Sequence, residues 1–211
     1  MRNLSGRARV AVTGMVLAFG LSPPVSALAG AVTIWETGFE TGFPPEISVI
    51  GNWSVITSSA AAHSGAKGAD IVGPNGRSDD PFGDALMVTV DARGYRGLSL
   101  GFWSKVRGEL ESEDDLTVQW STDGVTWDDL ISFTTASTGD WAFSSLDLPS
   151  GADDDPDLKL RFFALFSSAG DRMGFDDLAL TGTLVPEPST FTFLSACLLG
   201  GNYYRRGRRL G

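Results

Sequence analysis

Leu158-Lys159-Leu160-Arg161-Phe162-Phe163-Ala164-Leu165-Phe166 decides the fold, because Leu158, Leu160, Phe162, Ala164 and Phe166 share one parity and the two cations take the other. Side chains along a strand point alternately to its two faces, whereas a helix needs apolar residues at every third or fourth position. The segment therefore reads as a strand with one apolar face. Leu116-Thr117-Val118-Gln119-Trp120-Ser121 repeats the alternation. Further strands are predicted over 32–37, 53–57, 69–72, 85–91, 97–106, 129–134, 141–148 and 173–181, separated by Gly, Pro, Asp and Ser clusters that turn the chain. No helix of ordinary length is predicted in this region. About ten short strands at regular spacing predict an all-β fold, two antiparallel sheets packed as a jelly-roll sandwich over residues 30–183. No internal repeat supports a solenoid or a propeller.

The chain has 211 residues, with 26 acidic against 16 basic side chains and a net charge of −10. Such a balance offers no basic footprint for a phosphate backbone, so nucleic acid is excluded as a partner. One cysteine closes no intrachain disulfide and builds no thiolate zinc site, and one histidine leaves little for multi-histidine metal chemistry.

The two ends differ from the middle. Residues 1–29 carry Arg2, Arg7 and Arg9 without an acid, then an apolar run from Val10 to Leu21, then Ala27-Leu28-Ala29. That order is the three-part pattern of a secretory signal peptide, with Ala27 and Ala29 marking cleavage before Gly30. Sec machinery and signal peptidase are the implied partners. Residues 184–211 hold Pro186-Glu187-Pro188, an apolar stretch through Cys197, Tyr203-Tyr204, and the basic stop Arg205, Arg206, Arg208 and Arg209. This predicts a short C-terminal transmembrane helix with a cytoplasmic basic end. From Ser189 to Tyr204 it offers 16 residues, fewer than the roughly 20 that cross a bilayer comfortably, so the inner-membrane anchoring is expected to be transient. Cys197 reads as an inert thiol inside the apolar run.

Pro186-Glu187-Pro188, an apolar helix and a terminal arginine cluster, together with the signal peptide, resemble the PEP-CTERM sorting signal of Gram-negative bacteria. The resemblance implies recognition by exosortase, cleavage near the tripeptide, and delivery to the cell surface, an extracellular matrix or biofilm polymer. Without both ends the chain keeps 25 acidic and 9 basic residues, so the exported part is strongly acidic.

Phe39-Glu40-x-Gly42, Val118-x-Trp120-Ser121-Thr122-Asp123-Gly124-x-x-Trp127 and Gly174-Phe175-Asp176-Asp177-Leu178-x-Leu180 resemble extracellular jelly-roll modules of MAM-like and carbohydrate-binding type. Those modules imply a structural Ca²⁺, carried over here to Glu40 and Asp176 with Asp177 in reserve. By parity with Leu178 and Leu180, Asp176 is expected to point into the sandwich, where a buried carboxylate needs a partner. Six tryptophans in such a fold raise sugar stacking. Trp103 is the candidate, being out of phase with Leu98, Leu100 and Phe102.

Other chemistries have less support in the residues. Glu109, Glu111 and Glu113 alternate as an acid pair for glycoside hydrolysis would, but Ser112 and Asp114-Asp115 continue the stretch as a loop. The 121–127 segment is one residue short of an aspartate box, and Asp123-Gly124 reads as a hairpin turn with Trp127 packed on Trp120. His63 sits alone in a loop of small residues and reads as a surface side chain. The expectation is an exported, non-catalytic surface or matrix protein with a structural, adhesive or binding role and extracellular polysaccharide as a partner. A calcium-stabilised carbohydrate-binding module is the alternative reading, and a glycoside hydrolase a further one.

Overall fold

The computed structural model describes residues 30–73 and 83–185. The sorting tripeptide, the apolar tail, Cys197, the basic stop and the signal-peptide residues lie outside the described residues. The strands are β1 (Ala31–Thr37), β2 (Ile47–Ile50), β3 (Trp53–Thr57), β4 (Lys67–Val72), β5 (Asp84–Val90), β6 (Tyr95–Val106) and β7 (Glu109–Leu110), followed by β8 (Asp115–Ser121), β9 (Asp128–Phe133), β10 (Ala136–Ser137), β11 (Ala142–Asp147), β12 (Leu158–Leu165) and β13 (Arg172–Leu184). A single 3₁₀ turn, Ser150–Ala152, is the only helical element among the described residues.

One sheet runs β11-β6-β13-β4-β3, with β1 also paired to β13. The other runs β2-β5-β12-β8-β9, and β10 and β7 form a two-stranded ribbon. All pairings are antiparallel. The sandwich expected from the period-two pattern is present, and the first and last strands, β1 and β13, are neighbours.

The alternating residues of both sheets meet between them. Leu158, Leu160, Phe162, Leu116 and Val118 come from the five-stranded sheet, and Leu98, Leu100, Phe102, Phe175, Leu178 and Leu180 from the other, each nearly or fully buried. Phe162 is the hub: its ring lies 4.9 Å from Phe175 and 5.3 Å from Phe102 between centroids. Aromatic pairs at such spacing add to the area they bury.

One expectation fails for a local reason. The register of β13 against β6 shifts between Asp176 and Ala179, and Asp177 adopts a positive φ of 49°. This β-bulge inserts a residue and inverts the parity, so Phe175 and Leu178 both face the core although three positions apart. Asp176 therefore pairs with Trp103 and lies on the outer face, not in the interior. It is nonetheless 0% exposed, because the 58–67 loop covers it.

Candidate functional site

Ser58 starts that loop with a turn: its carbonyl accepts the amides of Ala61 and Ala62. The loop then crosses the six-stranded sheet, and Gly68 lets it approach, since a Cβ there would meet the Ala61 carbonyl at 1.9 Å. Three acids from two distant parts of the chain, Glu40 and the adjacent Asp176 and Asp177, hold it down. Asp176 Oδ2 accepts the amides of His63 at 2.8 Å and Ser64 at 3.0 Å, and Asp176 Oδ1 accepts that of Asp177 at 2.8 Å. Glu40 Oε1 accepts the amides of Ala66 and Lys67 at 2.8 and 2.9 Å. Asp177 receives Ser64 Oγ at 2.6 Å and faces His63 Nδ1 at 2.7 Å.

The electrostatics differ between these acids. Burial pushes the Asp176 carboxyl above its ordinary value, opposed by its three amide donors. The amides of Lys67 and Ala66 hold Glu40 below the usual carboxylate range. Glu40, Asp176 and Asp177 thus come together around one loop, but amides supply much of their neutralisation. They form no trio with oxygens within 4.8 Å of one another; Glu111, Asp114 and Asp171 do.

The consequence of this stapling is a row of aromatic rings. His63 stacks on Trp103 with centroids 3.8 Å apart and planes 11° from parallel, and it meets Trp141 edge-on at 5.8 Å. Trp103 is followed at 5.4 Å by Phe143, its cross-strand partner on β11. Glycines make room beneath: a Cβ on Gly174 would meet Trp141 at 3.4 Å, and one on Gly101 would meet Phe143 at 3.2 Å. Phe143 stays 57% exposed. Trp103 points outward as its phase predicts, half-buried beneath His63. His63 is at the surface, but its ring is engaged, and nothing in the sequence around 63 reveals its partners 113 and 114 residues away.

The opposite sheet carries a second polar and aromatic face. Arg161 Nε donates to Gln119 Oε1 at 2.6 Å, and Gln119 Nε2 donates to Asp129 Oδ1 at 2.6 Å. The guanidinium carbon lies 4.1 Å from the Trp127 ring centroid and 4.8 Å from that of Phe163. Trp127 belongs to this outer face, while Trp120 points into the core at 9% exposure, so the expected packing of one on the other gives way to Trp127 against Arg161. The Asp123-Gly124 turn is as expected, with Asp123 Oδ1 accepting the amides of Val125 and Thr126 at 2.8 Å. Those amides hold Asp123 down at about 2.

Glu109 and Glu111 line an open cleft of about 510 Å³ with Asp171, Ser137, Thr138 and Ser168. Desolvation, then Asp171, Asp114 and Glu113, raise the Glu111 carboxyl. Asp114 and Asp171 beside it are buried and take the amides of Ser167 and Ser168. No aromatic side chain lines this cleft.

No protein-family model matches this chain, and no curated protein does. Solved structures do. The chain is similar to the K3 cleaved adhesin domain of Lys-gingipain from Porphyromonas gingivalis W83, with 18% identity, a TM-score of 0.55, and coverage of 72% of this chain and 100% of that one. The K1 cleaved adhesin domain of the same protein matches at 14% identity and a TM-score of 0.53, over 73% of this chain and 99% of that one. The CBM22-1 xylan-binding domain of Paenibacillus barcinonensis Xyn10C matches at 13% identity and a TM-score of 0.50, over 76% and 99%. At such identities the likeness is one of fold.

Proposed function

We propose that this chain is an exported, non-catalytic module that binds polysaccharide at the cell surface or in the extracellular matrix of a Gram-negative bacterium. The observation that carries the reading is the aromatic row Trp141, His63, Trp103 and Phe143, laid across a rigid sheet with Phe143 open to solvent. Sugar rings present patches of C–H groups that pack on aromatic surfaces, and sites on strands are preorganised, so little ordering entropy opposes binding. A sandwich shared with a xylan-binding domain and with adhesin domains agrees with this role. Electrophoresis of the 30–185 region through gels containing xylan or galactan is expected to show retardation, lost in Phe143→Ala and Trp103→Ala. Equal mobility of wild type and both variants in every polysaccharide would overturn the assignment.

Export is part of the same proposal. Sec and signal peptidase act at Ala27 and Ala29, residues 191–204 anchor the chain transiently in the inner membrane, and exosortase recognises Pro186-Glu187-Pro188 ahead of Arg205, Arg206, Arg208 and Arg209. Intact-mass analysis of the protein from its host is expected to show a chain beginning near Gly30 and ending near Pro188. A chain still ending at Gly211 would refute the sorting step.

The structural Ca²⁺ belongs here as well. Glu40, Asp176 and Asp177 are hard oxygen donors, as calcium requires, and the amides of Ala66 and Lys67 both go to Oε1 of Glu40, not to its other oxygen. The donors are of the right kind, and the ion would have to draw their oxygens closer together than the amide staples hold them. A rise in melting temperature on adding calcium, absent in Glu40→Gln, is the expected result, and identical melting with calcium and with chelator would remove the ion.

A further inference from the structure

The outer face of the five-stranded sheet is organised along one transverse rung. Ser48, Met87, Arg161, Gln119 and Asp129 are successive cross-strand partners from β2 to β9. Arg161 sits in the middle strand, fixed from one side by Gln119 and flanked by Trp127 and Phe163. Its η nitrogens have no hydrogen-bond acceptor among the described residues. Asp129 is tied to Gln119 through Oδ1 and not to the guanidinium. Removing a guanidinium from water without a direct carboxylate partner costs stability, and burial does press the Arg161 pKa downward. The packing of Phe162 and Leu160 on the inner face does not require a cation at this position.

We propose that this face is a second saccharide-binding site, so that one sandwich engages two uncharged glycan strands back to back. Arg161 presents η N–H donors, and Asp129, one Gln119 amide away, presents an acceptor. Donor and acceptor side by side match neighbouring hydroxyls of a sugar ring, which donate to one and accept from the other. The rings of Trp127 and Phe163 border the guanidinium, giving the few fixed polar groups among aromatic surface that small-ligand sites use. An anionic glycan is disfavoured on two grounds. Gln119 occupies Nε, which blocks side-on bidentate pairing with a carboxylate. Asp129 lies on the same rung, and the neighbouring cation Lys159 is paired with Asp157, in a region of 25 acids and 9 bases. The two faces belong to opposite sheets, packed about 10 Å apart, so one short oligosaccharide cannot span both. Two sites on one rigid body cross-bridge polymer chains by effective concentration.

The cross-bridging rests on the reading of the Phe143 face, whereas the Arg161 site stands independently of it. The 30–185 region would be titrated calorimetrically with cello-, xylo- and galacto-oligosaccharides and, for contrast, with alginate oligosaccharides. Wild type is expected to bind two uncharged oligosaccharides per chain. Arg161→Ala and Trp127→Ala each leave one site, as does Phe143→Ala from the other face. Arg161→Lys, which keeps the charge but loses the planar fork, weakens its site about tenfold or more and guards against misfolding of the alanine variant, with melting checked for each. Wild type, but neither single-face variant, is expected to make soluble polysaccharide turbid. Binding by Arg161→Ala and Arg161→Lys indistinguishable from wild type overturns the second site while leaving the first intact. Loss confined to Arg161→Ala, with Phe143→Ala unchanged, upholds this site and overturns the first. Preference for alginate overturns the ligand class.

Discussion

Replacing Asp176 with alanine tests how far one side chain organises the aromatic row. The carboxylate is fully buried and accepts three backbone amides, two of them from the covering loop. In the alanine variant the His63 and Ser64 amides lose their acceptor under a loop whose other anchors are Glu40 and Asp177. An unsatisfied buried donor costs about 1–3 kcal/mol, so these two part-buried amides cost at most about 2–6 kcal/mol. Relief of the desolvation that raises the Asp176 pKa returns part of this, and about 3 kcal/mol is expected in all. For a domain of this size that lowers the melting temperature by about 6–12 °C. Asp176→Asn, which retains one carbonyl oxygen for the loop amides, is expected to lose about half as much. Thermal melts would be paired with near-ultraviolet circular dichroism, since His63 leaves Trp103 when the loop lifts. Binding at Phe143 then weakens while that at Arg161 persists. An alanine variant melting within about 2 °C of wild type, with an unchanged tryptophan spectrum, would refute the reasoning.

Arg107 pairs with Asp70, which is 2% exposed and whose carboxyl burial raises. Arg107→Ala strands that carboxylate, at a cost of about 3–5 kcal/mol. Because the folded-state pKa lies above the ordinary 3.8, the penalty is complete above the folded value, fades as pH falls through it and is gone below 3.8, so melts should differ from wild type at pH 7 and converge with it at pH 3.5. Asp123 behaves oppositely: held at about 2, it stabilises its turn above pH 3.8 and loses that stabilisation as pH falls through about 2. Protection of the Val125 and Thr126 amides, relative to their intrinsic exchange rates, is expected to fall over that window, and to be lost at all pH values in Asp123→Ala. Phe162→Ala empties the centre of the ring cluster and should cost about 3–5 kcal/mol by denaturant unfolding, with a loss under about 1 kcal/mol counting against the packing described.

Much of the fold was legible because burial alternates along strands. Leu158 to Phe166 and Leu116 to Trp120 declare their inner faces directly, and Asp123-Gly124 declares its turn through the backbone conformation glycine allows. The same rule misplaced Asp176, since one extra residue in a bulge inverts every later side chain. Trp103 was legible as outward-facing by phase. The His63 that lies on it was not, because no local pattern marks a loop residue whose partners arrive 113 and 114 positions later.

The strand period, the acidic character of the central region, the turns and the residue types at both ends can be read along the chain, because each depends on sequence neighbours alone. That Glu40, Asp176 and Asp177 staple one loop, that Trp103 and Phe143 share a rung, and that Arg161 meets both Trp127 and Phe163 emerges in the folded chain alone. These depend on strand order and register, which many contacts spread over the whole chain select together, and on a bulge that no short window of sequence reveals.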